Sequence, residues 1–512
     1  MRHSLIACFA GTILTLHSLP AASISHEQVE VAVKNLLANA RQEMKSTGIP
    51  GMAIAVVFEG KVLLAEGLGI RKVGTTQPVD PDTVFQLASV SKPIGSTVIA
   101  ALVGKKVVSW DSRLSDLDPS FAMPDAWVSR EIQICDLYSH RSGLPAHAGD
   151  LLEDLGYSQA EILHRLRFLA PEGSFRAHYA YTNFGLTAAA VAVAKAAGKD
   201  WATLSEDVLY KPLGMKSTSS RYADFIARPN RASGHQWING KWVHASQRQP
   251  DAQSPAGGVS SSINDLISWM QLQLQEGKFH GRSIVSEAAL AETHLPFIRT
   301  GIRRDTGQPT FYGLGWDTHQ DSKGRLRLSH SGAFAMGAST FVALLPEQNL
   351  GVVILTNASP LGVPEGLGNI FLDEALEGSA TEDWLKIFKA VFARMMDPTY
   401  PPLPPHPPKI ATPALTGAAY AGTYANDFFG QAKVTSTDQG LVLSLGPEGK
   451  SHPLIHWDRD IFAYDPIGEM ATGPSPVIFT VAPDGTAREM KIEHLDVHGA
   501  GTFRRETQTN AP

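Results

Sequence analysis

Between Asp397 and Pro413 the chain carries Tyr400-Pro401-Pro402-Leu403-Pro404-Pro405-His406-Pro407-Pro408. Six prolines in nine residues remove the N–H groups that a helix or a central strand needs, so the segment can form neither. It reads as a stiff spacer over 396–413, with folding units on both sides of it. At 512 residues the chain is longer than one hydrophobic core usually organises, and 43% hydrophobic with 18% charged residues is ordinary globular composition. Two domains are therefore expected, at 26–395 and 414–508.

Upstream of the spacer, Val29, Val33, Leu36, Leu37, Ala40 and Met44 recur at helical spacing, and Gly48-Ile49-Pro50-Gly51 stops the pattern. Met52–Phe58 and Val62-Leu63-Leu64, joined by Glu59-Gly60-Lys61, read as a hairpin. Helical patterns follow, such as Thr182–Ala197 and Ile263–Leu274. Sheet signals return in Phe341–Leu345 and Val352–Leu355, with Pro346–Asn349 as their turn. Strands that open and close the region around helices predict an α/β domain with one sheet built from both ends of the chain. Downstream of the spacer, Leu441–Leu445, Pro453–Trp457, Ile461–Tyr464, Val477–Val481 and Met490–Leu495 alternate with turns, as expected of a small all-β barrel or sandwich.

The first 22 residues have the form of a secretory signal: Arg2 and His3, an apolar Leu5–Leu16, and small residues around Ala21 and Ala22. An exported protein, periplasmic or secreted, is expected. Leu5-Ile6-Ala7-Cys8 resembles a lipoprotein box, but Cys8 comes early and apolar sequence continues past it. Cleavage near Ala22 leaves Cys135 alone, so no internal disulfide can staple the fold. No later stretch reaches the ~20 apolar residues of a membrane-spanning helix. A formal charge of −6 is small for this length and points away from nucleic acid, leaving a small molecule as the expected partner.

A serine hydroxyl becomes a nucleophile only beside a base, with donors aimed at the oxyanion it creates. Ala88-Ser89-Val90-Ser91-Lys92 precedes a helical pattern through Ile94, Val98, Ile99 and Leu102. Ser89 and Lys92 thus fall at i and i+3, about 5–6 Å apart at Cβ. Pro93 requires the first turn of that helix, which sets Ser89 at its start. Ser-x-x-Lys alone also suits a helix cap followed by a solvated lysine. Tyr181-Thr182-Asn183 and His330-Ser331-Gly332 supply the missing context.

With these three elements in this order, the chain resembles the serine β-lactamase and penicillin-binding-protein superfamily, in particular class C enzymes, D-aminopeptidases and related esterases. Ile134–Pro145, Ala256–Ser261 and Tyr312–Trp316 are similar to further stretches of that family. The resemblance spans about 28–390, and the C-terminal part looks like the lipocalin-like domain attached to some of its members. It implies the β-lactamase-like fold, an antiparallel sheet flanked by helices with a helical subdomain. It also implies Ser89 as nucleophile, with Lys92 and Tyr181 sharing the base role. Ser89 and Ala333 N–H groups would form the oxyanion hole, with Asn183, His330, Ser331 and Gly332 binding substrate. No cofactor or metal is implied, and neither His-Glu-x-x-His nor Gly-x-Ser-x-Gly occurs.

Two departures matter. His330 stands where β-lactamases usually carry lysine, and a mostly neutral histidine holds a β-lactam carboxylate more weakly. The glutamate element of class A deacylation is missing. Hydrolysis of amides or peptides of D-amino acids and carboxylester hydrolysis are both expected ahead of β-lactam hydrolysis, with the sequence not ranking the first two, and a silent binder of peptidoglycan fragments is the reading from another class. A core tyrosine is the competing reading of Tyr181, and Tyr179 is its rival for the motif, but Asn183 assigns the motif to Tyr181; His140, Arg141 and Ser142 are expected to shape a turn. The C-terminal domain is open to three roles: capping the cleft, binding a partner, or forming homo-oligomers.

Overall fold

The computed structural model describes residues 24–506, apart from 245, 304–306, 396, 398–399, 402 and 405. The signal segment 1–22 and Cys8 lie outside the described residues. Helix α1 (His26–Thr47) starts where the Ser25 hydroxyl accepts the Gln28 N–H, and ends at Gly48, whose φ of 70° only glycine adopts freely. The hairpin β1 (Gly51–Phe58) and β2 (Lys61–Gly69) follows.

These two strands join β3 (Ile298–Ile302), β4 (Pro309–Tyr312), β5 (Asp317–Gln320), β6 (Leu326–Phe334), β7 (Ala338–Leu345) and β8 (Leu350–Thr356). The eight form one antiparallel sheet in the order β2-β1-β8-β7-β6-β5-β4-β3. β1 pairs with β8, Met52 opposite Thr356, so the two ends of the domain meet in the middle of the sheet. This is the β-lactamase-like fold expected above.

Alternation along the strands separates two cores. Met52, Ile54, Val56 and Phe58 of β1, with Phe341 and Ala343 of β7, pack against α1 and α5 (Val363–Glu377). Ala53, Ala55 and Val57 face the other way, onto the helical subdomain of α2 (Ser91–Gly104), α3 (Asn183–Ala196) and α4 (Ile263–Leu274). Because both faces are covered, β1 is buried throughout and reads as a continuous apolar run. Helix α6 (Trp384–Met395) packs outside α5.

Beyond the proline segment, eight strands close into a barrel: β9 (Gly422–Asn426), β10 (Gly430–Thr437), β11 (Gly440–Leu445), β12 (Lys450–Asp458), β13 (Ile461–Tyr464), β14 (Ser475–Val481), β15 (Ala487–Ile492) and β16 (Thr502–Arg505). Tyr424, Val434, Leu443, Phe479, Met490 and Phe503 are all buried in it. Eight strands leave an interior just wide enough for such side chains.

The spacer touches the barrel at Tyr400 and Thr412, while residues 406–410 between them are exposed. Tyr400 is buried and donates to Gly473 O at 2.6 Å, and Thr412 N donates to Asp458 at 2.6 Å. An aromatic side chain with a satisfied hydroxyl is worth burying even inside a proline run. The barrel in turn docks on the helical subdomain. Tyr157 donates to Phe429 O at 2.6 Å, and the Asp154 carboxylate accepts from Glu469 N at 2.9 Å and Met470 N at 2.8 Å. Gly468 allows this seat: its φ is 140°, and a Cβ there would lie 2.2 Å from the Asp154 carboxyl carbon. Among the described residues no helix is long and apolar enough to cross a membrane.

Candidate active site

Ser89 occupies a 3-10 turn, Ala88–Val90, that runs directly into α2, and Lys92 falls in the first turn of that helix. Ala88 holds φ at 47°, a left-handed conformation that costs a residue with a Cβ about 1–2 kcal/mol. The strain turns Ser89 toward the cleft and is sustained by the packing around it. Lys92 is fully buried. Its Nζ meets Ser89 Oγ at 3.0 Å, Asn183 Oδ1 at 2.8 Å and Ala256 O at 3.0 Å. The phenol of Tyr181 donates to the same Ser89 Oγ at 2.7 Å. One hydroxyl therefore sits between an amine and a phenol brought from separate elements.

Burial lowers the Lys92 ammonium to about 7, and the Arg248 charge pushes in the same direction while Asp150 and Asp317 oppose it. A large part of the amine is then unprotonated at neutral pH, with a lone pair available to Ser89. Burial pushes the Tyr181 hydroxyl the other way, upward, so it stays a proton donor. Lys92 Nζ also lies 4.5 Å from the centre of the Tyr181 ring.

Behind these groups runs a polar chain that the motifs do not reveal. Asn183 Nδ2 donates to Asp150 Oδ2 at 2.8 Å, and His147 Nδ1 meets the same oxygen at 2.9 Å. Asp150 fixes the amide so that its carbonyl faces Lys92. His140 packs its ring 4.6 Å from Tyr181 and 4.7 Å from Tyr312, and accepts Thr182 N–H at 3.2 Å. Its place in a turn is as expected, and its contact with the catalytic-motif tyrosine is additional. Tyr179 stacks near Tyr312 at 5.8 Å and makes no bond to Ser89.

The third motif lies on β6. Strand β5 pairs with β6 only as far as Ser329, so His330–Phe334 forms a free strand edge beside Ser89. At Gly332 a Cβ would stand 2.3 Å from Leu87 O and 3.0 Å from Ser89 N, so only glycine lets the strand approach the nucleophile turn. His330 Nε2 shares a hydrogen bond with the Tyr312 hydroxyl at 2.8 Å. Burial, then the Lys92 charge, lowers the His330 imidazole to about 3, so it is neutral. Ser331 departs from the expectation of a substrate-binding side chain. Strand alternation turns it to the opposite face, toward Glu365, and leaves only its backbone on the cleft edge.

Glu469 of the barrel domain reaches this cleft. Glu469 accepts the Ala335 N–H and, at 3.3 Å, the Met336 N–H at the tip of the β6–β7 hairpin, two and three residues beyond Ala333. It also pairs with the buried Arg248 at 3.3 Å, which pairs with Glu153 on its other side. Arg248 lies 4.6 Å over the Phe334 ring. No spacing in the sequence links 248 to 469, and only the docked fold brings them together.

A nucleophile turn under a lysine and a tyrosine, set against a free strand edge on this fold, defines a serine hydrolase of the β-lactamase and penicillin-binding-protein superfamily. The family model described as Beta-lactamase matches residues 36–377, and the chain belongs to that family. Residues 406–505 match a domain of unknown function, DUF3471. The chain is 26% identical to the unguisins hydrolase ungD' of Aspergillus campestris, over 87% of this chain and 86% of that protein. It is 25% identical to the D-alanyl-D-alanine-carboxypeptidase/endopeptidase AmpH of Escherichia coli, over 62% of this chain and 81% of that one. The octameric penicillin-binding protein homologue from Pyrococcus abyssi superposes with a TM-score of 0.60 at 18% identity, covering 90% of this chain and 98% of that one.

Proposed function

We propose that the protein hydrolyses amide or peptide bonds next to D-amino acids in small substrates, through an acyl-enzyme on Ser89. The observation that carries this reading is the convergence of Lys92 Nζ and the Tyr181 hydroxyl on one Ser89 oxygen, at 3.0 and 2.7 Å. Ser89 Oγ attacks the substrate carbonyl as its proton passes to the Lys92 amine. The oxyanion is received by the N–H groups of Ser89 and Ala333, held ready at no cost of reorganisation. Tyr181, a phenol at neutral pH, gives its proton to the leaving amine and takes in its place the one held by the Lys92 ammonium, so both groups return to their starting state. Water then follows the same path in reverse to release the acid.

The names of two relatives, a hydrolase of unguisins and a D-alanyl-D-alanine peptidase, support a peptide-like substrate. Neutral His330 supports the preference against β-lactams, because it offers no cation to their carboxylate. Export through the first 22 residues belongs to the same proposal, and it matches a substrate found outside the cytoplasm.

The test is a panel of D-alanyl anilide, p-nitrophenyl esters of short acids and a chromogenic cephalosporin. The D-alanyl anilide is expected to give the highest kcat/KM. Fastest turnover of the cephalosporin would overturn the reading, fastest ester turnover would recast the protein as a carboxylesterase, and binding without turnover would favour the silent binder.

A further inference from the structure

Two arginines of the hydrolase domain are equally buried, each with 8% of its surface exposed. Arg248 is met by Glu153 and Glu469. Arg327, on β6, has no ion pair or hydrogen bond among the described residues, and its Nε is shut away from solvent with no acceptor. A guanidinium keeps its charge even here: burial, then the neighbouring Arg303, lowers it only to about 10. Buried cations that persist in folded proteins are matched by an anion. Asp373, Asp317 and Asp321 are near enough to favour the charge, yet none of them bonds the guanidinium, whose hydrogen-bonding fork is left open among the described residues.

Arg327 borders a cavity of about 1060 Å³ on the face of the sheet opposite Ser89. The cavity lies between β4–β6 and α6, which packs on α5 and leaves the outer strands uncovered. Its other walls include Phe311, Trp384 and Phe388. Trp384 is pinned by a bond from its indole N–H to Asp373 at 2.6 Å. The space is far larger than an inorganic anion needs, and Phe311, Phe341, Trp384 and Phe388 give it aromatic surface beside its polar groups. Arg303, Lys386 and Arg394 line it as well as Asp317, Glu382 and Asp383, so charges of both signs face the cavity and a polyanion would meet carboxylates.

We propose that this cavity is a second ligand site, distinct from the cleft, which takes a small monocarboxylate with an aryl or acyl body. Its carboxylate lies on the Arg327 guanidinium and its apolar part against Phe311, Trp384 and Phe388. The site shares β6 with the cleft, since Arg327, Ser329 and Ser331 face the cavity while His330 faces Ser89.

The full chain is titrated calorimetrically with 3-phenylpropionate and with 3-phenylpropionamide, as wild type and as Arg327→Gln. Wild type is expected to bind the carboxylate saturably and the amide at least about tenfold more weakly, since one charge-assisted bidentate contact is lost. Arg327→Gln is expected to weaken the carboxylate by a similar factor while leaving turnover in the cleft within about twofold. Equal affinity for acid and amide, or an unchanged affinity in Arg327→Gln, overturns the proposal. A second measurement does not depend on the variant folding: in crystals soaked with 3-(4-bromophenyl)propionate, the anomalous bromine signal is expected beside Trp384. Bromine found only in the Ser89 cleft, or nowhere, would overturn it.

Discussion

In the barrel, the positions sealed from water are Val434, Leu443, Phe479, Met490 and Phe503, whereas around Ser89 equally sealed positions hold Lys92, His140, Asp150, Arg248 and His330. The barrel repeats one rule, apolar in and polar out, with His452 and Ser475 as buried polar exceptions on its strands, and each apolar side chain gains by leaving water. The cleft breaks that rule five times within one site. Each break has another polar group aimed at it: Asn183 and Ala256 at Lys92, the Thr182 N–H at His140, Asn183 at Asp150, Glu153 and Glu469 at Arg248, and Tyr312 at His330. The contrast separates what holds the molecule together from what it is built to do, since burying polar groups adds little stability and is kept where it tunes reactivity.

The largest expected effects fall on turnover and come from the cleft. Lys92→Ala and Tyr181→Phe are each expected to lower kcat/KM by about a thousandfold or more while the unfolding midpoint stays close to wild type. A loss of less than about tenfold in either would mean that the buried polar groups serve structure and would erase the contrast. From the barrel, Phe479→Ala should give the opposite pattern, a loss of about 3–5 kcal/mol in denaturant unfolding. Turnover per folded molecule should be unchanged, and a lowered kcat in the folded fraction would show that barrel packing reaches the chemistry.

A smaller effect is expected from pH. Only the unprotonated Lys92 amine can accept the serine proton, and its ammonium titrates at about 7. The kcat/KM should therefore fall as pH drops below about 7, by up to about tenfold per pH unit, and level off above it. A profile flat between pH 6 and 8 would assign the proton to another group. The smallest effect tests the link between the two regions. Glu469→Gln removes one of the two carboxylates on Arg248 and leaves its charge less compensated near Lys92. That disfavours the ammonium further, so the acid limb should move to lower pH by less than about one pH unit. A move to higher pH would contradict this account of the barrel contact.

Much of this was legible in the chain because it is local. The helix Asn183–Ala196, the hairpin of β1 and β2 and the strands β7 and β8 follow from periodicity over a few neighbours. Ser89 with Lys92, Tyr181 with Asn183, and His330 with Gly332 are short motifs whose members lie within three residues of each other. The strands Gly422–Asn426, Gly430–Thr437 and Thr502–Arg505 escaped because each buries few large apolar residues: Ala432 and Val434 sit between exposed Gln431, Lys433 and Thr435. Asp150, His140, Arg248 and Glu469 escaped for another reason. They lie on loops, or for Asp150 at the start of the short helix Asp150–Asp154, and meet the motif residues only through tertiary contact, with no fixed spacing to betray them. Ser331 was placed in the cleft on its motif alone, although strand alternation from His330 already turns it away.

The central claim is that the Ser89 oxygen becomes acylated, and mass spectrometry of protein quenched during turnover reads it directly. Peptides from wild type treated with an acylating D-alanyl ester or a slow β-lactam are expected to carry one acyl group, on Ser89, and peptides from Ser89→Ala none. An acyl group on any other residue, or turnover that survives in Ser89→Ala, would contradict the account.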